Sequence, residues 1–301
     1  MLETKFKVAI LLAVLFMTSL PVMGILRGTK PPPPEVGSPD AQETDNQPGA
    51  GTTVAVSHAP IEPQIVRIPA GSFLRGTNAG GYDEKPEGSV YLDTYLIDRY
   101  EVMNRQYQEF RAATGHRKAR PPARYAKNMA RLRDPYQPIV YVSWEDADAY
   151  CRWKGKRLPT EAQWEKAMRG TDGRLWPWGN ALERTASNWG NEDGYRFTAP
   201  VGTFERDVSP FGVADGAGNV MEWVADWYGE DAYRHASKRN PMGPDHGVYK
   251  VMRGGGYMSR GNDVRITSRS RMVPGFRDET IGFRCAITGK IRGGETPAQA
   301  S

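Results

Sequence analysis

Two loops rich in oxygen donors carry the clearest chemistry in the sequence: NWGNEDGY at residues 188–195 and DGAGNVME at residues 215–222. A hard cation such as calcium gathers about six to eight oxygens at ~2.3–2.6 Å from carboxylates, amides and main-chain carbonyls. Glycines beside the donors let those carbonyls turn inward. The plainer reading is that the same Asn and Asp side chains cap turns and hydrogen-bond the backbone. Any ion held there is structural, because no cluster of Cys or His offers a zinc or iron geometry. The chain has four histidines, and His235 and His246 lack the spacing of a ligand pair.

A third stretch, RGGGYMSRGNDV at residues 253–264, sets a glycine triplet before Tyr257, Ser259, Arg260 and Asp263. Without Cβ atoms such a loop can make a tight turn between core strands or bring its backbone against a ligand. Ser259 has no histidine nearby to serve as the base a nucleophilic hydroxyl needs. Asp263 and Glu279 are candidates for moving a proton. Ser259 and Asp263 are therefore the two catalytic candidates of this loop.

These loops need a frame, and 301 residues suffice for one large domain or two small ones. The 33 Gly, 23 Pro and 8 Trp predict many turns and aromatic packing rather than long helices or broad sheets. PQIVRIPAGSFLRGT alternates as a strand leading to a hairpin does. NRQYQEFRAATG has helical spacing, with Asn104 as N-cap and Gly115 as stop. SWEDADAYCRWKGK opens on a capping box of Ser143 and Asp146, and PTEAQWEKAMRG on one of Thr160 and Gln163, ending at Gly170.

At the N-terminus, Lys5 and Lys7 precede an uncharged run from Val8 to Leu26. Residues 1–26 read as a secretory signal, with Val22-Met23-Gly24 for cleavage, or as an uncleaved anchor. No Cys follows to suggest a lipoprotein. Residues 27–63 are a Pro-rich disordered linker, 64–287 the folded domain, and 288–301 a disordered tail. The body of the protein is then extracytoplasmic. The net charge of +5 is scattered, and its one local excess, Arg265, Arg269, Arg271 and Arg277, suits internal pairing. Nucleic acid is not an expected partner.

EVMNRQYQEF, PIVYVSWEDADAYCRWKGKRLPTEAQWEKAMRG, WPWGN, FGVADGAGNVMEWVADWY, VMRGGGY and GFRCA occur in an order that resembles the formylglycine-generating (sulfatase-modifying factor) family. The resemblance covers about residues 65–287. It implies an α+β fold, a single formylglycine-generating-enzyme-like domain, comparable to C-type lectins, with low regular secondary-structure content. It also implies a disulfide between Cys151 and Cys285 and two structural calcium sites. One takes the Asn188 side chain, Trp189 carbonyl, Asp193 side chain and Tyr195 carbonyl. The other takes Asp215, the carbonyls of Gly218 and Val220, and Glu222.

Oxidases of that family look alike in holding copper(I) with two thiols in the third stretch, whereas Ser259 and Val264 stand at those positions here. No copper is expected. What the resemblance leaves is a surface groove bearing Tyr257, Ser259, Arg260, Asp263 and Arg265. The sequence thus points to a periplasmic cell-envelope protein that binds a protein or peptide partner as an accessory or regulatory factor. Its membrane contact runs only through the N-terminal segment if uncleaved, which would anchor it to the inner membrane. The alternative is a periplasmic enzyme of different chemistry with a small-molecule substrate, similar to those of pyoverdine-type siderophore chromophore maturation. A formylglycine-generating oxidase of sulfatases is third.

Overall fold

The computed structural model describes residues 64–120, 130–190 and 192–289. The segments read as signal or anchor (1–26) and as linker (27–63), and the tail beyond residue 289, lie outside the described residues. Short strands form where apolar residues alternate. β1 (Ile65–Ile68) pairs antiparallel with β4 (Tyr95–Asp98), and β9 (Ala286–Ile287) adds to the far side of β4. β2 (Gly71–Arg75) pairs antiparallel with β3 (Gly88–Leu92). The strand expected at residues 63–77 is thus two strands, which do not pair with each other.

The largest sheet among the described residues has the order β7 (Arg269–Met272), β6 (Lys250–Arg253), β5 (Met221–Trp227), β8 (Ile281–Phe283). Its pairs are antiparallel except β5 with β8, which run parallel. β5 begins within the second acidic loop and β6 ends on Arg253, so this sheet supports two of the three stretches singled out above.

Three helices of nine to eleven residues pack on these sheets: α1 (Asn104–Thr114), α2 (Trp144–Trp153) and α3 (Glu161–Arg169). A single turn, α4 (Ala232–His235), follows later. Both expected capping boxes are present. Ser143 Oγ accepts from Asp146 N–H at 3.2 Å and Thr160 Oγ1 from Gln163 N–H at 3.2 Å, satisfying donors that a helix start leaves unpaired. Asn104 is not the cap of α1. It is already helical, and its amide donates to the carbonyls of Leu132 and Asp134 at 2.9 Å each, while Met103 holds the cap position.

Trp164 and Met168 of α3 pack with Phe73, Ile97, Val224 and Val251 in one core cluster. Tyr107 and Phe110 of α1 join Tyr150, Cys151, Trp223 and Phe283 in another. The Cys151–Cys285 disulfide spans 134 residues and ties α2 to the chain just past β8. Alongside this apolar packing runs a fully buried ion network. Glu161 of α3 is paired with Arg75, Arg253 and Arg269, and Arg253 also holds Glu165 at 2.8 Å. Burial opposes ionisation of Glu161, yet the charges of Arg269, Arg253 and Arg75 outweigh it and hold the carboxyl at about 2.

Candidate functional site

Residue by residue, the glycine-rich stretch is first a structural turn. Arg253 inserts into the core and donates to the carbonyls of Thr267 and Ile266 as well as to the two glutamates. Gly255 sits at φ +69°, and a Cβ there would lie 2.8 Å from Val264 Cγ1. The positive φ and the close neighbour together demand glycine. Val264 is fully buried with Trp176, Trp189 and Ala217, so the position of an expected second thiol is a core position.

Backbone hydrogen bonds bring the three stretches together. Gly218 N–H donates to Gly254 O at 2.8 Å, Asn219 N–H to Asn188 O at 2.8 Å, Tyr257 N–H to Asn219 O at 2.9 Å, and Gly190 N–H to Tyr257 O at 3.1 Å. Gly218, at φ +96°, approaches so closely that a Cβ would lie 2.2 Å from Asn188 O. The Asn219 side chain completes the knot, receiving from Asn188 Nδ2 at 3.1 Å and donating to Glu101 at 2.7 Å.

The two candidate cation loops differ in what they leave unpaired. In the described part of 188–195, Asp193 Oδ1 accepts from Tyr195 N–H at 2.7 Å, while Asp193 Oδ2 and Asn188 Oδ1 are buried without a donor among the described residues. Two orphaned oxygen acceptors in one loop are what a hard cation would satisfy, so Asn188 and Asp193, with the carbonyls of Trp189 and Tyr195, fit calcium. In the second set Glu222 is paired on both oxygens and Asp215 on one. Both oxygens of Glu222 take Arg284 at 2.7 Å, Glu222 also accepts from Trp164 Nε1, and Asp215 Oδ2 accepts from Gly202 N–H.

Arg284 thus supplies Glu222 with part of the charge that an ion beside Asp215, Gly218, Val220 and Glu222 would bring. Further carboxyl groups crowd this region. Burial, assisted by Asp215 and Glu222, pushes Glu101 well above the carboxylate range, and burial with Asp215 does the same to Asp207. Among the described residues no three His, Cys, Asp or Glu side chains converge as a metal-holding group.

Beyond the turn, residues 256–263 open onto a cleft of about 790 Å³, walled on the other side by residues 276–280. Ser259, Arg260 and Asp263 line it as expected, but Tyr257 and Arg265 do not. Tyr257 is buried beneath the loop, and burial followed by the charges of Glu279 and Asp278 holds its phenol far above the ordinary value. Arg265 turns away to clasp both oxygens of Glu84 at 2.9 Å. Arg269 and Arg277 are likewise paired internally, with Glu161 and Asp146.

Ser259 Oγ accepts from Gly256 N–H at 3.0 Å and no histidine among the described residues lines the cleft, so a serine nucleophile has no base there. Both cysteines lie in the disulfide, which leaves the cleft without a thiol. At its mouth Met258 is 67% and Phe276 38% exposed. Sequence reading missed Phe276, Asp278, Thr280 and above all Tyr141. Tyr141 has φ +59°, its N–H donates to Asp278 O, and its hydroxyl donates to Glu279 Oε2 at 3.0 Å. A left-handed tyrosine leaves no sequence signature, because the strain is imposed by tertiary contacts.

The model of the sulfatase-modifying factor enzyme 1-like domain matches residues 52–289. A serine/threonine-protein kinase of Chlamydia caviae is 35% identical over 250 residues, which take in 77% of this chain. The match spans 39% of that kinase's own length. The formylglycine-generating enzyme of Thermomonospora curvata is 35% identical over 282 residues, covering 74% of this chain and 92% of the enzyme. The solved structure of PvdO from Pseudomonas aeruginosa superposes with a TM-score of 0.64 at 31% identity, over 74% of this chain and 94% of that one.

Proposed function

This chain belongs to the sulfatase-modifying factor enzyme 1-like domain family, and from that membership we propose that it is a cell-envelope accessory protein whose cleft at residues 256–263 holds a peptide segment of a protein partner. The observation that carries the reading is the make-up of the cleft. It contains no thiol, its serine is folded into a turn, and its mouth sets exposed Met258 and Phe276 beside Arg260. An apolar rim with an exposed cation suits a side chain and an acidic neighbour on an extended peptide.

An extracytoplasmic site agrees with the N-terminal apolar run and with a structural disulfide. The Pro-rich segment would act as a tether that raises the effective concentration of the domain near its partner. The kinase relative, matched over 39% of its length, supports a domain that works attached to other machinery. One calcium ion at residues 188–195 would hold the loop beneath the cleft in place, a structural and not a chemical part.

A second reading, an enzyme of different chemistry such as siderophore chromophore maturation, is favoured by one feature. Tyr141, held at positive φ, and buried Tyr257 both bear on Glu279 at the cleft wall. Strained residues of this kind cluster at functional sites. Affinity capture from envelope extract with the full chain, beside an Arg260→Glu variant, separates the readings when proteins and small molecules are both identified by mass spectrometry. A protein held by the parent and lost from the variant is expected. A retained small molecule with no protein would replace the binding reading by the enzymatic one.

A further inference from the structure

A second cavity, of about 320 Å³, shares no lining residue with the cleft. One wall is a single face of α1, where Asn104, Tyr107, Gln108 and Arg111 follow the helical repeat. Lys118, Arg120 and Arg133 come from the chain beyond the helix, so among the described residues four cations line the cavity and no carboxylate does. None of the four forms an ion pair among the described residues. In the sequence every charged residue from 117 to 133 is basic, an excess that the reading centred on residues 265–277 passed over.

A second observation points to a ligand. Tyr107 is 1% exposed, lines the cavity and has no hydrogen-bond partner for its hydroxyl among the described residues, and Arg111 Nε is likewise buried and unpartnered there. Burial above all keeps the Tyr107 phenol protonated, a neutral O–H donor. Leaving such a donor unpaired is unfavourable. Neighbouring acids do not answer the charge. Asp146, whose field reaches Tyr107, is held by Arg117 at 2.6 Å, His116 at 2.8 Å and Arg277 at 3.0 Å. Asp134, next to Arg133, accepts from Tyr136 N–H, and Glu109 of α1 faces Lys154.

We propose that this cavity binds a phosphate group, with Tyr107 and Arg111 donating to its oxygens at the base and Lys118, Arg120 and Arg133 neutralising it at the rim. A carboxylate brings one charge and two oxygens, whereas a phosphate brings more of both, and planar guanidinium groups match it. The group is either free phosphate or the headgroup of an anionic lipid. The site does not depend on what occupies the cleft.

Calorimetry on the full chain with inorganic phosphate at low salt, and co-sedimentation with phosphatidylcholine vesicles with and without phosphatidylglycerol, test this. One equivalent of phosphate should bind, and Tyr107→Phe and Arg111→Gln should each weaken it about tenfold or more, as loss of a hydrogen bond to a charged group does. Lys118→Gln, at an exposed position, keeps the test readable if Tyr107→Phe loosens the aromatic packing. Sedimentation only with phosphatidylglycerol vesicles, weakened by the same variants and not displaced by phosphate, would assign the group to lipid. Binding equal in parent and variants, equal sedimentation with both vesicle types, or no binding at all would overturn the proposal.

Discussion

Asp226 of β5 shows what single buried groups do here. It is fully buried, accepts from Glu161 N–H and Gly243 N–H at 2.7 Å each, and is pushed up to about 6 by burial and by the Glu161 charge. A carboxyl raised in the folded state binds a proton on folding. Its contribution is complete below the ordinary aspartate value of 3.8 and is lost as pH rises through about 6. Glu161, lowered to about 2, acts in the opposite sense, its stabilisation present above 4.5 and lost toward low pH. Relative to Asp226→Asn, the parent should lose roughly 2 kcal/mol between pH 4 and 7 in urea unfolding, and parallel curves would contradict this. At the cleft, a cysteine-bearing peptide supplied with copper(I) and oxygen should yield no formylglycine, since no thiol remains outside the Cys151–Cys285 bridge. Aldehyde formation seen by mass spectrometry would refute it. Ser259, Arg260 and Asp263 were legible as cleft residues because they share one short stretch that the family resemblance places at a groove, whereas Tyr141 and Phe276 reach the cleft only through the fold.

Helix starts were legible in the elements where the signal is local. Ser143 with Asp146 and Thr160 with Gln163 each close a reciprocal pair within four residues. Asn104 had the right residue type, but the carbonyls of Leu132 and Asp134, some 30 residues away, claim its amide. Still longer separations in sequence hid that Arg265 belongs to Glu84, and that Arg284 neutralises Glu222 where an ion was expected. The disulfide joins α2 to the strand region past β8 across 134 residues, a pairing that only the family resemblance made legible. Replacing both Cys151 and Cys285 with alanine should lower stability by about 2–5 kcal/mol, because a loop of this length is freed in the unfolded chain. An unchanged denaturation midpoint and slope would show that the bridge adds nothing to the fold.

At the scale of the molecule, α3, the four-stranded sheet and the buried Arg and Glu network form the frame on which three loops are knotted together. Short elements followed from the Gly, Pro and Trp content and the α+β class from the family resemblance, while the strand order β7-β6-β5-β8 followed from neither, because its pairings join segments far apart in sequence. If calcium sits on the unpaired oxygens of Asn188 and Asp193, chelation should lower the melting temperature, since a ligand of the folded state stabilises it by mass action. Asp193→Ala should remove that response. Identical melting with and without chelator, in protein shown to be metal-free, would contradict the site. The central claim, that the cleft holds a peptide of a protein partner, is tested most directly by a photo-crosslinking residue in place of Met258, compared with one in place of Met242, which is equally exposed but lies at another cavity. Irradiated in cells that make the protein, the Met258 position should yield a discrete protein adduct that Arg260→Glu abolishes and the Met242 position lacks. No protein adduct at Met258, or the same adducts from both positions, would contradict the account.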